Sequence, residues 1–295
     1  MTFLAELSGV HKRYGKTVAL DGLDLQVRDG ELLAVLGPNG AGKTTAISLL
    51  LGLQEADAGK AQLFGKSPHD LETRRKVGVM MQEAVLPAEL RVQEQIDLVA
   101  SYYPAPMTPA TAMEMTNTTA LAGRPYGKLS GGQKRLVQFA VAMCGRPKLL
   151  FLDEPTVGLD VQARKLMWAT LRQLVEQGSS IVLTTHYLEE AEALADRVMV
   201  LAKGRVIASG TVNEIRANVV RKQVTCSTAL AVEQIQGWPE VENVTQDHQG
   251  VHITANNAEA LVRRLLAADE DVQDLEVRRA GLAEAFTELT QEAAL

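Results

Sequence analysis

Apolar and polar positions alternate in short blocks along the N-terminal part of the chain. Phe3–Val10 and Leu20–Val27 read as strands, the second closed by the turn Arg28-Asp29-Gly30. Glu31–Leu36 is a short apolar run of the buried-strand kind. It leads through a glycine-rich stretch into an apolar helix at Thr45–Leu51. Lys76–Met81 reads as a strand that stops at Gln82. From Pro87 to Pro125 the pattern turns helical; Val92–Tyr103 is its clearest helix, and Pro104, Pro106 and Pro109 interrupt it. Leu149–Leu152 is a strand, Val161–Gln177 a helix closed by Gly178, Ile181–Thr184 a strand and Tyr187–Ala195 a helix. Val198–Leu201 and Arg205–Ser209 form a hairpin about Lys203-Gly204.

Strands alternating with helices, plus an inserted helical stretch, predict an α/β core with a helical subdomain. After Asn218 the character changes. Val224–Ser227 and Val251–Thr254 read as strands and Ala258–Ala268 as a helix. The expected organisation is a large α/β domain over 1–218, its helical part at about 84–146, and a small α+β domain over 219–295. No run approaches the roughly 18 apolar residues of a spanning helix, so a membrane role would come through a partner. Met1–Val10 lacks the basic start of a signal peptide.

Composition changes this picture little. The 295 residues are 46% hydrophobic and carry a net charge of −6, which argues against a nucleic-acid partner. The two cysteines, Cys144 and Cys226, are too few for a disulfide framework.

The chemistry begins at Gly37-Pro38-Asn39-Gly40-Ala41-Gly42-Lys43-Thr44, which fits the phosphate-loop pattern between a strand and a helix. Glycines let successive backbone N–H groups turn inward on phosphates, and the helix N-terminus adds partial positive charge. Lys43 is placed to reach the β- and γ-phosphates and the Thr44 hydroxyl to coordinate Mg²⁺. The apolar strand Leu149–Leu152 ends in Asp153 and Glu154. Asp153 suits the metal and Glu154 the attacking water, as general base. Leu129-Ser130-Gly131-Gly132-Gln133 precedes a helix from about Lys134, with Ser130 as N-cap. It makes a second anion site in one chain. A head-to-tail dimer accounts for both, each ATP lying between one subunit's phosphate loop and the other's Ser130, Gly131, Gly132 and Gln133.

On these motifs the chain resembles the ATPases of the ATP-binding cassette (ABC) transporters over roughly residues 3–215. The resemblance implies a P-loop NTPase core of ABC type with an N-terminal antiparallel β subdomain and an inserted helical subdomain. It also implies ATP contacts from Tyr14, stacked on adenine, and from Gly37, Pro38, Asn39, Gly40, Ala41, Gly42, Lys43, Thr44 and Thr45. Gln82 matches the glutamine that senses Mg²⁺ and the attacking water, Asp160 the aspartate that communicates across the dimer, and His186 the switch histidine at the γ-phosphate. Metal contacts fall to Thr44, Gln82 and Asp153, and catalysis to Glu154, His186 and Gln82.

Thr156–Asp160, Thr184–Glu192 and Gly281–Thr290 are similar to the multidrug, polysaccharide and lipid export branch. The implied protein is an ATP hydrolase on the cytoplasmic face of the membrane, powering export through a separate permease. A non-transport cassette with a regulatory or nucleic-acid role is the alternative; neither the long coiled-coil insertion nor the second cassette of such proteins is present. Two departures from the branch stand out: the Pro-, Thr- and Ala-rich stretch Pro104–Gly127, where the branch has a charged helix, and Val161 in place of proline.

Overall fold

The computed structural model describes residues 3–217, 222–247, 250–279 and 282–292. The chain divides into two compact units between Val212 and Asn213. The boundary expected at 218/219 lies outside the described residues.

The first unit runs β1 (Ala5–Tyr14), β2 (Thr17–Val27), β3 (Leu32–Leu36), α1 (Lys43–Leu50), β4 (Ala58–Leu63), α2 (Leu71–Arg74), β5 (Val77–Met80), α3 (Val92–Ala100), α4 (Pro109–Met115) and α5 (Gly131–Met143). It continues through β6 (Leu149–Asp153), α6 (Val161–Glu176), β7 (Ser180–Thr185), α7 (Leu188–Leu194), β8 (Arg197–Ala202) and β9 (Arg205–Gly210). β2, β1 and β4 form an antiparallel sheet. The central sheet has the order β5-β6-β7-β3-β8-β9, parallel except for β9.

Every residue of β3, β6 and β7 is buried, because the parallel sheet is covered on both faces. Side chains alternate between two cores. Leu33, Val35, Leu149, Phe151 and Val182 join the core shared with β1, β2 and α1. Leu32, Leu150, Leu152, Ile181 and Leu183 join the core that includes Phe139 of α5 and Leu171 of α6. Register brings the carboxyl ends of three strands level: Leu36 lies opposite Thr185, and Asp153 opposite Thr184. That edge is where open parallel sheets hold ligands.

Two helix starts differ from expectation. Pro109 begins α4 rather than interrupting a helix: Thr108 caps it, its side chain accepting from Thr111 N, and proline at the first turn forfeits no needed bond. α5 begins at Gly131, not Lys134. Ser130 Oγ accepts from Gln133 N at 3.3 Å and Gln133 Oε1 accepts from Ser130 N at 3.1 Å, a reciprocal cap that starts the helix within the glycine pair.

The second unit contains α8 (Val212–Ala217, which begins at the division), β10 (Lys222–Ser227), α9 (Val232–Gln236), β11 (Val241–Asp247), β12 (Gly250–Ala255), α10 (Ala258–Ala268), β13 (Gln273–Arg279) and α11 (Leu282–Glu292). Its sheet has the order β11-β12-β10-β13, antiparallel throughout, the split β-α-β pattern of an α+β domain. Val224, Cys226, Ile235, Val251, Ile253, Leu261 and Leu265 fill its core.

Candidate nucleotide site

The loop between β3 and α1 is built by close approach. A Cβ on Gly37 would meet the Leu201 carbonyl oxygen at 2.5 Å, and one on Gly42 the Ala19 carbonyl oxygen at 2.5 Å. Gly42, at φ 102°, also takes a backbone conformation that other residues rarely adopt while it caps α1. Lys43 follows, only 7% exposed. Its Nζ donates to the carbonyls of Gly37 at 2.6 Å and Pro38 at 3.1 Å. Burial pushes the Lys43 ammonium below its ordinary pKa, and the carboxylates of Glu154 and Asp153 work against that shift. A desolvated cation whose bonds go only to carbonyl oxygens suits an anionic ligand. Pro38, Asn39, Gly40 and Thr44 are exposed on the loop, with Ala41 buried and Thr45 half-buried beneath.

Asp153 is 1% exposed at the end of β6. Thr44 Oγ1 donates to its Oδ2 at 3.0 Å, and Thr184 Oγ1 donates to its Oδ1. A carboxylate aimed at the hydroxyl after the loop lysine is an oxygen set suited to a hard divalent cation. Glu154 takes φ 48°, unusual for a residue other than glycine and a form of strain that collects at active sites. Its backbone N–H is held by the Thr184 carbonyl at 3.0 Å. The side chain meets two others: His186 Nδ1 lies 3.2 Å from Oε1, and Gln82 Nε2 donates to Oε2 at 3.4 Å. Two candidates from distant parts of the chain thus converge on the carboxylate of a third.

The remaining candidates lie apart. Tyr14 ends β1, 45% exposed, with its hydroxyl bonded to Gln54 Oε1. Ser130 and Gly131 are exposed at the start of α5. Asp160 is exposed and caps α6, its Oδ1 accepting from Ala163 N at 2.8 Å. Among the described residues, no hydrogen bond or ion pair joins Tyr14, Ser130, Gly131, Gly132, Gln133 or Asp160 to the Gly37–Thr44 loop.

A family model described as ABC transporter matches residues 20–157. The daunorubicin resistance ATP-binding protein DrrA3 of Streptomyces coeruleorubidus is 37% identical over 96% of this chain and 95% of its own length. The Nod factor export ATP-binding protein I of Burkholderia thailandensis is 43% identical over 68% of each. The chain belongs to the ABC transporter ATP-binding proteins. Among solved structures, the ATP-binding subunit of an ABC transporter superimposes with TM-score 0.67 at 28% identity, covering 73% of this chain and 92% of that one. A dimeric bacterial ABC transporter cassette gives 0.64 at 26%, covering 70% and 98%. This ABC cassette is accordingly an ATP-binding, ATP-hydrolysing subunit. Among the described residues no helix is long and apolar enough to cross a membrane.

Two residues of the cassette's site escaped the sequence. Thr184 holds both the Asp153 side chain and the Glu154 backbone; its signal was a hydroxyl ending an otherwise apolar strand. Arg135 is 7% exposed within α5. Its guanidinium donates to the carbonyls of Met81 (3.1 Å), Gln82 (3.2 Å), Asp153 (2.8 Å), Glu154 (2.5 Å) and Pro155 (3.2 Å). It ties the helix that carries the Ser130 motif to the strand ends that carry Gln82 and Glu154. Nothing beyond a charge beside Lys134 marked it.

Proposed function

We propose that this cassette binds Mg-ATP in a head-to-tail dimer, hydrolyses it with Glu154 as general base, and powers export through a separate membrane permease. The observation that carries the reading is the convergence of His186 and Gln82 on Glu154, beside an Asp153 already bonded to Thr44. Thr44, Asp153 and Gln82 are the residues that would hold Mg²⁺, which when bound would neutralise charge on the β- and γ-phosphates. Lys43 exchanges its carbonyl partners for phosphate oxygens. Backbone N–H groups from Asn39 to Thr45 surround the phosphates, and Tyr14 stacks on the adenine. Glu154 takes the proton of the attacking water, and His186 orients the γ-phosphate against it.

The exposed Ser130–Gly131 helix start, without bonds to its own phosphate loop, is available to the nucleotide of a second copy, as is Asp160. Export is supported by the names of the relatives, a daunorubicin resistance protein and a Nod factor export protein. The cassette sits on the cytoplasmic face through its permease, which docks near the helical part at about 84–146 and Gln82.

Glu154→Gln keeps the shape of the side chain and removes its basicity. In size-exclusion chromatography with light scattering it is expected to run as a dimer with Mg-ATP and as a monomer without. Adding Ser130→Arg should abolish the dimer. A Glu154→Gln protein that stays monomeric at saturating ATP, or dimerises equally with Ser130→Arg, rules out the composite site.

A further inference from the structure

Behind the switch histidine lies a completely buried carboxylate. Glu190, on α7 four residues after His186, has no exposed surface. Its Oε1 accepts from Trp168 Nε1 of α6 at 3.1 Å. Its Oε2 has no hydrogen-bond partner, nor do two other buried atoms, Thr156 Oγ1 and Arg164 Nε. These groups share one neighbourhood. Burial raises the Glu190 pKa, while Thr185, Trp168, Thr156 and Arg164 all favour its ionised form. Thr156 Oγ1 is near enough to act on the carboxylate without making a bond of ordinary length.

Each neighbour belongs to a moving part of the proposed mechanism. Thr185 adjoins His186, and its Oγ1 accepts from Tyr187 N at 2.9 Å. Thr156 opens the loop to Asp160; its carbonyl accepts from Leu159 N at 3.1 Å. Arg164 N donates to the Asp160 carbonyl at 2.9 Å, and its guanidinium lies 5.0 Å over the Tyr187 ring. Glu190 therefore stands where the His186 strand end, the Asp160 loop and α6 meet.

A carboxylate serving packing alone would be fully bonded or replaced by an apolar side chain, since half-satisfied buried networks are costly. The acid's own unpartnered Oε2 and the two unpartnered atoms near it, Thr156 Oγ1 and Arg164 Nε, provide a second set of bonds for a second arrangement of the two loops. We propose that Glu190 is a positioning residue coupling His186 to the Asp160 loop, so that the histidine is aligned on the phosphate only when the loop is docked on a second copy. This rests on the catalytic reading of Glu154 and His186 above.

Trp168 provides the readout. The chain has two tryptophans, so Trp238→Phe leaves Trp168 as sole emitter, bonded to the residue in question. In that background Glu190→Gln is expected to fold, to hold KM for Mg-ATP within about twofold, and to lower kcat about tenfold, as a misaligned catalytic group does. The ATP-induced change in Trp168 emission seen in the parent should disappear. An unchanged kcat, a loss carried by KM alone, or a retained emission change overturns the proposal. Should Glu190→Gln not fold, Thr156→Val removes the loop-side hydroxyl at similar volume. It carries the same kcat expectation, and an unchanged kcat there is equally fatal. Glu154→Gln serves as the control: if it turns over ATP at the parent rate, the catalytic reading fails; if it is inactive beside a parent-like Glu190→Gln, only the coupling fails.

Discussion

The two units of this chain are stabilised in different ways. In the first, Lys43, Arg135, Asp153, Thr156, Thr184, Thr185 and Glu190 are buried, and Glu154 holds a left-handed backbone beside them. In the second, no polar or charged residue is buried whole among those described, although single atoms such as Glu240 Oε2 are; its core is Val224, Cys226, Ile235, Ile253, Leu261, Leu265 and similar apolar residues. Burying a charge or an unpartnered hydroxyl costs stability, and strained backbone adds to that cost. Such costs persist where chemistry uses them. The contrast says that the first unit is shaped around a reaction and the second around its own core.

Lys43→Ala tests that contrast most severely. Its ammonium is desolvated before any ligand arrives, so removal takes away the one buried cation of the phosphate loop. ATP turnover by purified protein is expected to fall at least about 100-fold, the scale of losing a preorganised charge stabiliser. Equilibrium binding of ATP should weaken with it. Unchanged binding and turnover would mean that the buried polar residues of the first unit are incidental.

Arg135→Ala comes next. Five backbone carbonyls from two strand ends converge on this guanidinium. Leaving them unpaired should cost about 3 kcal/mol in urea unfolding of the first unit. Turnover should drop about tenfold, because Gln82 and Glu154 lose their common anchor. Arg135→Lys should recover only part, since a single ammonium cannot reach so many acceptors. A variant with parent stability and parent turnover would show that the tie between α5 and the strand ends is dispensable.

Arg135 also marks where reading the sequence stops. The phosphate loop was legible because strand, glycines, Lys43, Thr44 and helix are contiguous. Asp153 and Glu154 were legible because an apolar run ends in them, and α10 because Ala258–Ala268 repeats at helical spacing. Besides Gln138 on its own helix, the acceptors around Arg135 are backbone carbonyls 18 to 54 positions away, which no local pattern records. β4 and β13 were missed for a related reason. Ala58–Leu63 has a single fully buried residue, and Gln273–Asp274 begins a strand that is mostly exposed. Their alternation, Ala61 and Leu63 in one and Leu275 and Val277 in the other, is too short to announce a half-buried strand. Both pair along sheet edges, so their partners rather than their own sequence define them.

The smallest effect on turnover is expected from a large injury to the second unit. Ile253 lies in β12, fully buried between Val224 of β10 and Val244 of β11 in register. Ile253→Ala removes a branched side chain from the middle of that core and should destabilise the second unit by about 2–4 kcal/mol. None of the residues assigned to nucleotide lies past His186, and the two compact units have separate cores. Sites without shared partners act independently, so kcat and KM for Mg-ATP should stay within about twofold of the parent. The measurement is calorimetry beside turnover at a temperature below both transitions. The expected trace has one transition moved down and one left in place, with unchanged kinetics. If turnover falls in step with the moved transition, the second unit contributes to the reaction through something other than its own stability, and a core free of buried charge would no longer mark a region without chemistry.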